Sequence, residues 1–110
     1  MTTYLAQFAY CYSEMHQLCI VEVENGKIVN IELLDQPSER ANTIFLNGIL
    51  TGPMVGKTME RMRISPFSTI DYLLELLQET TQELKIGDDA NLLLWDFVPA
   101  SSGILNKKEL

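Results

Sequence analysis

At 110 residues the chain has room for one compact domain with a modest core, and none for a second. Its 46% apolar and 21% charged residues are ordinary for a globular protein, and no apolar run approaches the roughly 20 residues that cross a bilayer. With 15 acidic against 8 basic side chains the net charge is −7, which repels phosphate backbones and argues against a nucleic-acid partner.

The start, Met1 to Phe8, lacks the basic and long apolar regions of a secretory signal, so a reducing cytoplasm is the expected compartment and Cys11 and Cys19 are expected as thiols. Residues 3–12 mix aromatic and small apolar types without a helical period and read as a first strand, with Ser13 to Gln17 as its turn. The sharpest local signal follows. Leu18 to Glu24 and Lys27 to Leu34 flank Asn25-Gly26, which supplies the two positive-φ positions of a type I′ turn, so this is a β-hairpin. A two-residue loop pairs Glu24 with Lys27, Val23 with Ile28, Val21 with Asn30 and Ile20 with Ile31. Val23, Val21, Cys19 and Ile28 then share one face, and Ile20, Leu18, Val29, Ile31 and Leu33 the other, as in a sheet covered on both sides.

Residues 35–42 read as a loop or one helical turn, Thr43 to Leu46 as a short buried strand parallel to the first, and Asn47 to Pro53 as a loop. Val55, Met59 and Met62 recur at helical spacing and predict a short helix over 54–63, followed by an extended piece at 64–67. Lys57, Arg61 and Arg63 on it are cations of a solvated face. The clearest helix is Thr69 to Lys85, with Ile70, Leu73, Leu74, Leu77 and Leu84 on one stripe and Glu75, Glu79 and Glu83 in a solvated row. Ser68 and Asp71 form its capping box, and Gly87 its stop. Leu92 to Val98, containing Trp95, is a last strand. The reading is a single α/β domain with a mixed sheet over 1–99, built of a strand, a hairpin and strand-helix units, and a flexible tail over 100–110.

Few motifs carry chemistry. Thr51 to Thr58 invites comparison with a phosphate loop, but Gly52 and Gly56 are separated by three residues where that loop needs four. The single histidine, His16, stands in no recognisable triad, and no nucleophile elbow occurs, so an enzyme is not expected. Cys11, His16 and Cys19 fall within nine residues and offer soft ligands for a metal. The plainer alternative is two core thiols and a surface histidine, since free cysteine packs as a small hydrophobe.

The order of pieces resembles the dinitrogenase iron-molybdenum cofactor-binding family, the NifX-like and NifB C-terminal-like domains. The resemblance rests on the hairpin Ile20 to Asn30, the strand-loop Thr43 to Ile49, Gly52-Pro53 before a helix, Arg63-Ile64-Ser65-Pro66 and a helix from near Ile70. It implies a ribonuclease-H-like α/β fold and a non-catalytic accessory protein that binds or carries a metal-sulfur cofactor, an iron-sulfur or iron-molybdenum-type cluster. The candidate metal ligands are Cys11, His16 and Cys19, with Gly52 and Met54 beside the cofactor. The rival expectation is an acidic protein-binding module of the immunity-protein or inhibitor type, docking on a basic partner. A protein partner is expected in either case, a homodimer is one form of it, and neither nucleic acid nor membrane is.

Overall fold

The computed structural model describes residues 1–36, 42–55, 70–95 and 107–110. The strands β1 (Thr2–Cys11), β2 (Glu14–Glu24), β3 (Lys27–Leu33), β4 (Thr43–Thr51), β5 (Leu93–Trp95) and β6 (Lys107–Glu109) form one sheet in the order β3-β2-β1-β4-β5-β6. One helix, α1 (Ile70–Thr80), accompanies them among the described residues. β1 and β4 run parallel, as expected, and every other neighbouring pair is antiparallel.

This overturns the ribonuclease-H-like α/β reading: the described residues are mostly strand with one helix, where a series of strand-helix units was expected. Two local features account for it. Asn47-Gly48 does not break the chain into a loop, and β4 runs on to Thr51. Gly48 is needed there for closeness, since a Cβ on it would sit 2.5 Å from the Trp95 carbonyl oxygen of β5. The helix expected to reach Lys85 stops at Thr80, where Thr80 and Thr81 turn their hydroxyls back onto the Leu76 and Leu77 carbonyls at 2.8 and 2.5 Å. Such bonds compete with the helix ladder, and the chain leaves it extended.

Of the helix expected over 54–63, only Met54 and Val55 are described, and neither is helical; the extended piece at 64–67 and the capping Ser68 lie outside the described residues. Of the segment 100–110, expected as a loose tail, residues 107–109 pair with β5 as the edge strand β6.

The hairpin turns at Asn25 (φ 52°) and Gly26 (φ 73°), with Glu24 opposite Lys27 and Val23 opposite Ile28 as expected. Beyond that point an extra residue, Val29, bulges out of β3 and shifts the register by one, so Glu22 faces Asn30 and Val21 faces Ile31. Ile31 therefore joins the face of Val21 and Cys19 and is buried, while Val29 is exposed. The first hairpin turns earlier than its sequence suggests, at Tyr12 (φ 50°) and Ser13 (φ 66°), two left-handed residues in the place usually taken by Asn or Gly.

That hairpin also bends. Leu18 has φ 57° inside β2, and the pair Gln7 and Leu18 is missing from an otherwise continuous β1–β2 ladder. Ala6 and Ala9 consequently share one cluster, although residues three apart on a regular strand face opposite ways. The sheet curls around this inner cluster, which also holds Cys11, Cys19, Val21, Ile28, Ile31, Leu46 and Leu50. Its other face packs Ile49, Leu93 and Trp95 against Leu77 of α1.

The inner cluster is closed by the chain that follows α1. Residues 81–92 run as a strap that contributes Leu84 and Leu92 to the core. Gly52 donates its amide to Gln82 O at 2.9 Å and Leu84 donates to Tyr10 O at 2.7 Å, tying the strap to the ends of β4 and β1. Gly87 donates to Ile28 O at 2.7 Å, Ile28 to Asp88 O at 3.0 Å and Ala90 to Gly26 O at 2.8 Å, which covers the start of the β3 edge.

Candidate functional site

The bend in the first hairpin decides where the two cysteines lie. In a flat ladder Cys11 stands opposite Glu14 and Cys19 opposite Ala6, five pairs and about 16 Å apart. In the curled sheet their Sγ atoms are 3.7 Å apart, and both residues are fully buried. The hydrogen bond shared with Cys19 holds the Cys11 thiol below its usual range, against burial and the charge of Glu83, which push it up. The same bond, together with burial, pushes the Cys19 thiol well above it.

His16 lies on β2 opposite Ala9, half-buried, with its ring edge-on to Tyr12 at a centroid distance of 6.3 Å. Its Nε2 is buried and makes no hydrogen bond. Among the described residues no three His, Cys, Asp or Glu side chains come together as a metal site, so Cys11, His16 and Cys19 do not form one constellation. Gly52 and Met54 sit elsewhere again, at the end of β4 beside the strap, with Met54 bridging to Thr81.

What the strap builds is a surface feature that residue types alone do not announce. Three clefts border it. The first, about 200 Å³, is lined by Tyr12, Ile31 and Ile86 together with Glu83, Leu84 and Lys85. The second, about 250 Å³, shares Glu83, Leu84 and Lys85 and adds Gly52, Asp88 and Asp89. The third, about 400 Å³, shares Pro53 and Asn91 with the second and adds Met54, Leu92, Leu93, Glu109 and Leu110. Neighbouring clefts share lining residues, so the three lie in succession along the strap and are together called the furrow.

The furrow has one apolar end, an acidic middle and a far end that mixes apolar side chains with Asn91 and Glu109. Tyr12 and Ile86 are both more than half exposed at one end, and Met54 and Leu110 lie at the other. Glu83 is fixed between them by the Ser13 amide, which donates to its carboxylate at 2.6 Å. Lys85 reaches Glu83 at 3.4 Å, and Lys27 reaches Asp89 at 2.6 Å. The Lys27 ammonium holds the Asp89 carboxyl below its ordinary value, and Asp89 raises Lys27 in return. Asp88 is exposed. In sequence Gly87 is expected only as the stop of a helix, and Asp88 and Asp89 beside it carry no motif that marks this arrangement.

Compared with family models, with curated proteins and with solved structures, the chain matches none. The furrow and the thiol pair therefore have to be read from their own chemistry. No helix among the described residues is long and apolar enough to cross a membrane.

Proposed function

We propose that this protein is a non-catalytic, acidic binding module of the cytoplasm that holds an extended, basic segment of a protein partner along the strap. The observation that carries the reading is the run of three clefts with common lining residues, with apolar side chains at each end and bordered by Glu83, Asp88, Asp89 and Glu109. Apolar anchors at the two ends supply affinity and the acidic middle supplies register and a fast, steered encounter. A net charge of −7 favours a basic partner over an acidic one at every distance within the Debye length.

The test uses synthetic ten-residue peptides that alternate lysine or arginine with leucine, alongside acidic and uncharged peptides of the same apolar content. Calorimetry at two salt concentrations is expected to show binding of the basic set alone, weakening with salt. Asp88→Lys combined with Asp89→Lys is expected to abolish it while the fold is kept. Equal binding of acidic peptides, or an unchanged affinity in the double variant, rejects the reading.

A metal-sulfur carrier is the second reading, and the adjacent sulfurs of Cys11 and Cys19 are the observation in its favour. They supply two of the four thiolates that iron-sulfur clusters ordinarily take. Anaerobic reconstitution with iron and sulfide tests it, and a protein that retains no metal after desalting excludes it.

A further inference from the structure

The thiol pair has a chemistry of its own that does not depend on any partner in the furrow. Cys11 and Cys19 are both free, both fully buried, and 3.7 Å apart through sulfur. A disulfide bond is about 2.05 Å long, so the two sulfurs need to close by less than 2 Å. The approach is a specific product of the fold. It requires the left-handed Leu18 and the missing Gln7–Leu18 pair, because a regular hairpin holds these positions far apart.

We propose that Cys11 and Cys19 form a reversible dithiol–disulfide couple, oxidised by a hydroperoxide and reduced by an external thiol. Cys11 is the attacking sulfur. It is the last residue of β1, next to the exposed Tyr12-Ser13 turn, whereas Cys19 lies within β2. The Cys11 thiolate attacks one peroxide oxygen, the O–O bond breaks, and the departing hydroxide takes up the proton that Cys11 gave away. This leaves Cys11 as a sulfenic acid and releases one water. The Cys19 sulfur then attacks the Cys11 sulfur, the S–O bond breaks, and the hydroxide leaves with the Cys19 proton as a second water. In sum, two thiols lose two electrons and two protons, and one hydrogen peroxide becomes two waters.

Entry is through the turn. Leu84 bonded to Tyr10 O and Glu83 bonded to the Ser13 amide hold the turn down, and local opening of these two bonds brings Cys11 to the surface. Once formed, the bond fixes the bend of the first hairpin and cross-links the unfolded chain as well, so the oxidised protein is the more stable form.

The full-length reduced protein, freed of reductant, is treated with one equivalent of hydrogen peroxide, denatured, alkylated and mapped by mass spectrometry. The expected result is a monomer lighter by two hydrogen atoms, no alkylated cysteine, and one peptide pair linked through Cys11 and Cys19. Its urea midpoint rises, and dithiothreitol restores both mass and midpoint. Two alkylated thiols after treatment, oxygen added without a link, or dimers joined between chains overturn the proposal. In Cys19→Ala, dimedone is expected to trap the sulfenic acid on Cys11; a folded variant that gives no adduct removes Cys11 from the attacking role. Should that variant fail to fold, the mapping of the wild-type protein decides alone.

Discussion

The indole N–H of Trp95 donates to the hydroxyl of Thr51 at 2.9 Å, and that hydroxyl donates in turn to the carbonyl of Gly52 at 2.9 Å. Both side chains are fully buried, so the pair joins β5 to the end of β4. Thr51→Val keeps the shape and removes the acceptor of this bond from the buried indole N–H. The expected cost is about 1 to 3 kcal/mol, and Thr51→Ser costs less because the hydroxyl is retained. Trp95 is the single tryptophan, so urea unfolding followed by its fluorescence reads both variants.

Gly26 stands at φ 73°, and a Cβ added there meets nothing within 4 Å. The penalty of a side chain is thus conformational alone. Gly26→Ala is expected to destabilise by about 1 to 2 kcal/mol and Gly26→Val by more, since β-branched residues resist the left-handed region. Equal unfolding midpoints for the wild type and the valine variant would sink the turn assignment.

Leu77 is fully buried against Ile49 and Trp95, whereas Glu79 two residues on is exposed. Leu77→Ala is expected to cost about 2 to 5 kcal/mol, with Glu79→Ala changing stability by no more than about 0.5 kcal/mol. Chemical denaturation of the two variants side by side checks the orientation of α1.

The Lys27–Asp89 pair carries a pH signature of defined sign. Because Lys27 holds the Asp89 carboxyl below its ordinary value, the pair favours the folded state above the ordinary carboxylate range. That contribution is lost as pH falls through the lowered folded-state value. Both side chains are well exposed, so the effect on stability is small and screened by salt. It is read best by site-specific NMR: the Asp89 titration midpoint is expected to rise in Lys27→Ala, and to move little on that substitution at high salt.

Some of this architecture is legible in the residues and some is not, for identifiable reasons. Asn25-Gly26 announces its hairpin because only a few residue types tolerate two consecutive positive φ angles. The Tyr12-Ser13 turn adopts the same conformations with residues that do not announce it, which moved the expected turn several positions downstream. The Val29 bulge leaves no compositional trace, so alternation alone put Ile31 on the wrong face. The leucine stripe of α1 was read correctly around Leu77 and too far at Leu84, whose burial comes from the strap. Of the expected site, Cys11 and Cys19 do meet, but through a bend in the backbone that spacing cannot reveal. The furrow is invisible to motif reading because it is shaped by main-chain hydrogen bonds from 81–92 to three distant strands.

That strap has a kinetic consequence. The two hairpins join residues close in sequence, while the bond from Ala90 to Gly26 closes a loop spanning most of the chain, and loop-closure entropy sets in before such a contact gives anything back. We expect the hairpins to form early and the strap to close last, with the Leu84, Gly87 and Ala90 amides exchanging with solvent faster than those paired between β1 and β2. Pulse-labelled hydrogen exchange during refolding measures that order directly, and protection of the strap before the hairpins would contradict it. If the furrow holds the proposed partner, binding reports on completed folding: chains still open at the strap, newly made or damaged, would lack both the furrow and the Leu84 and Leu92 part of the core.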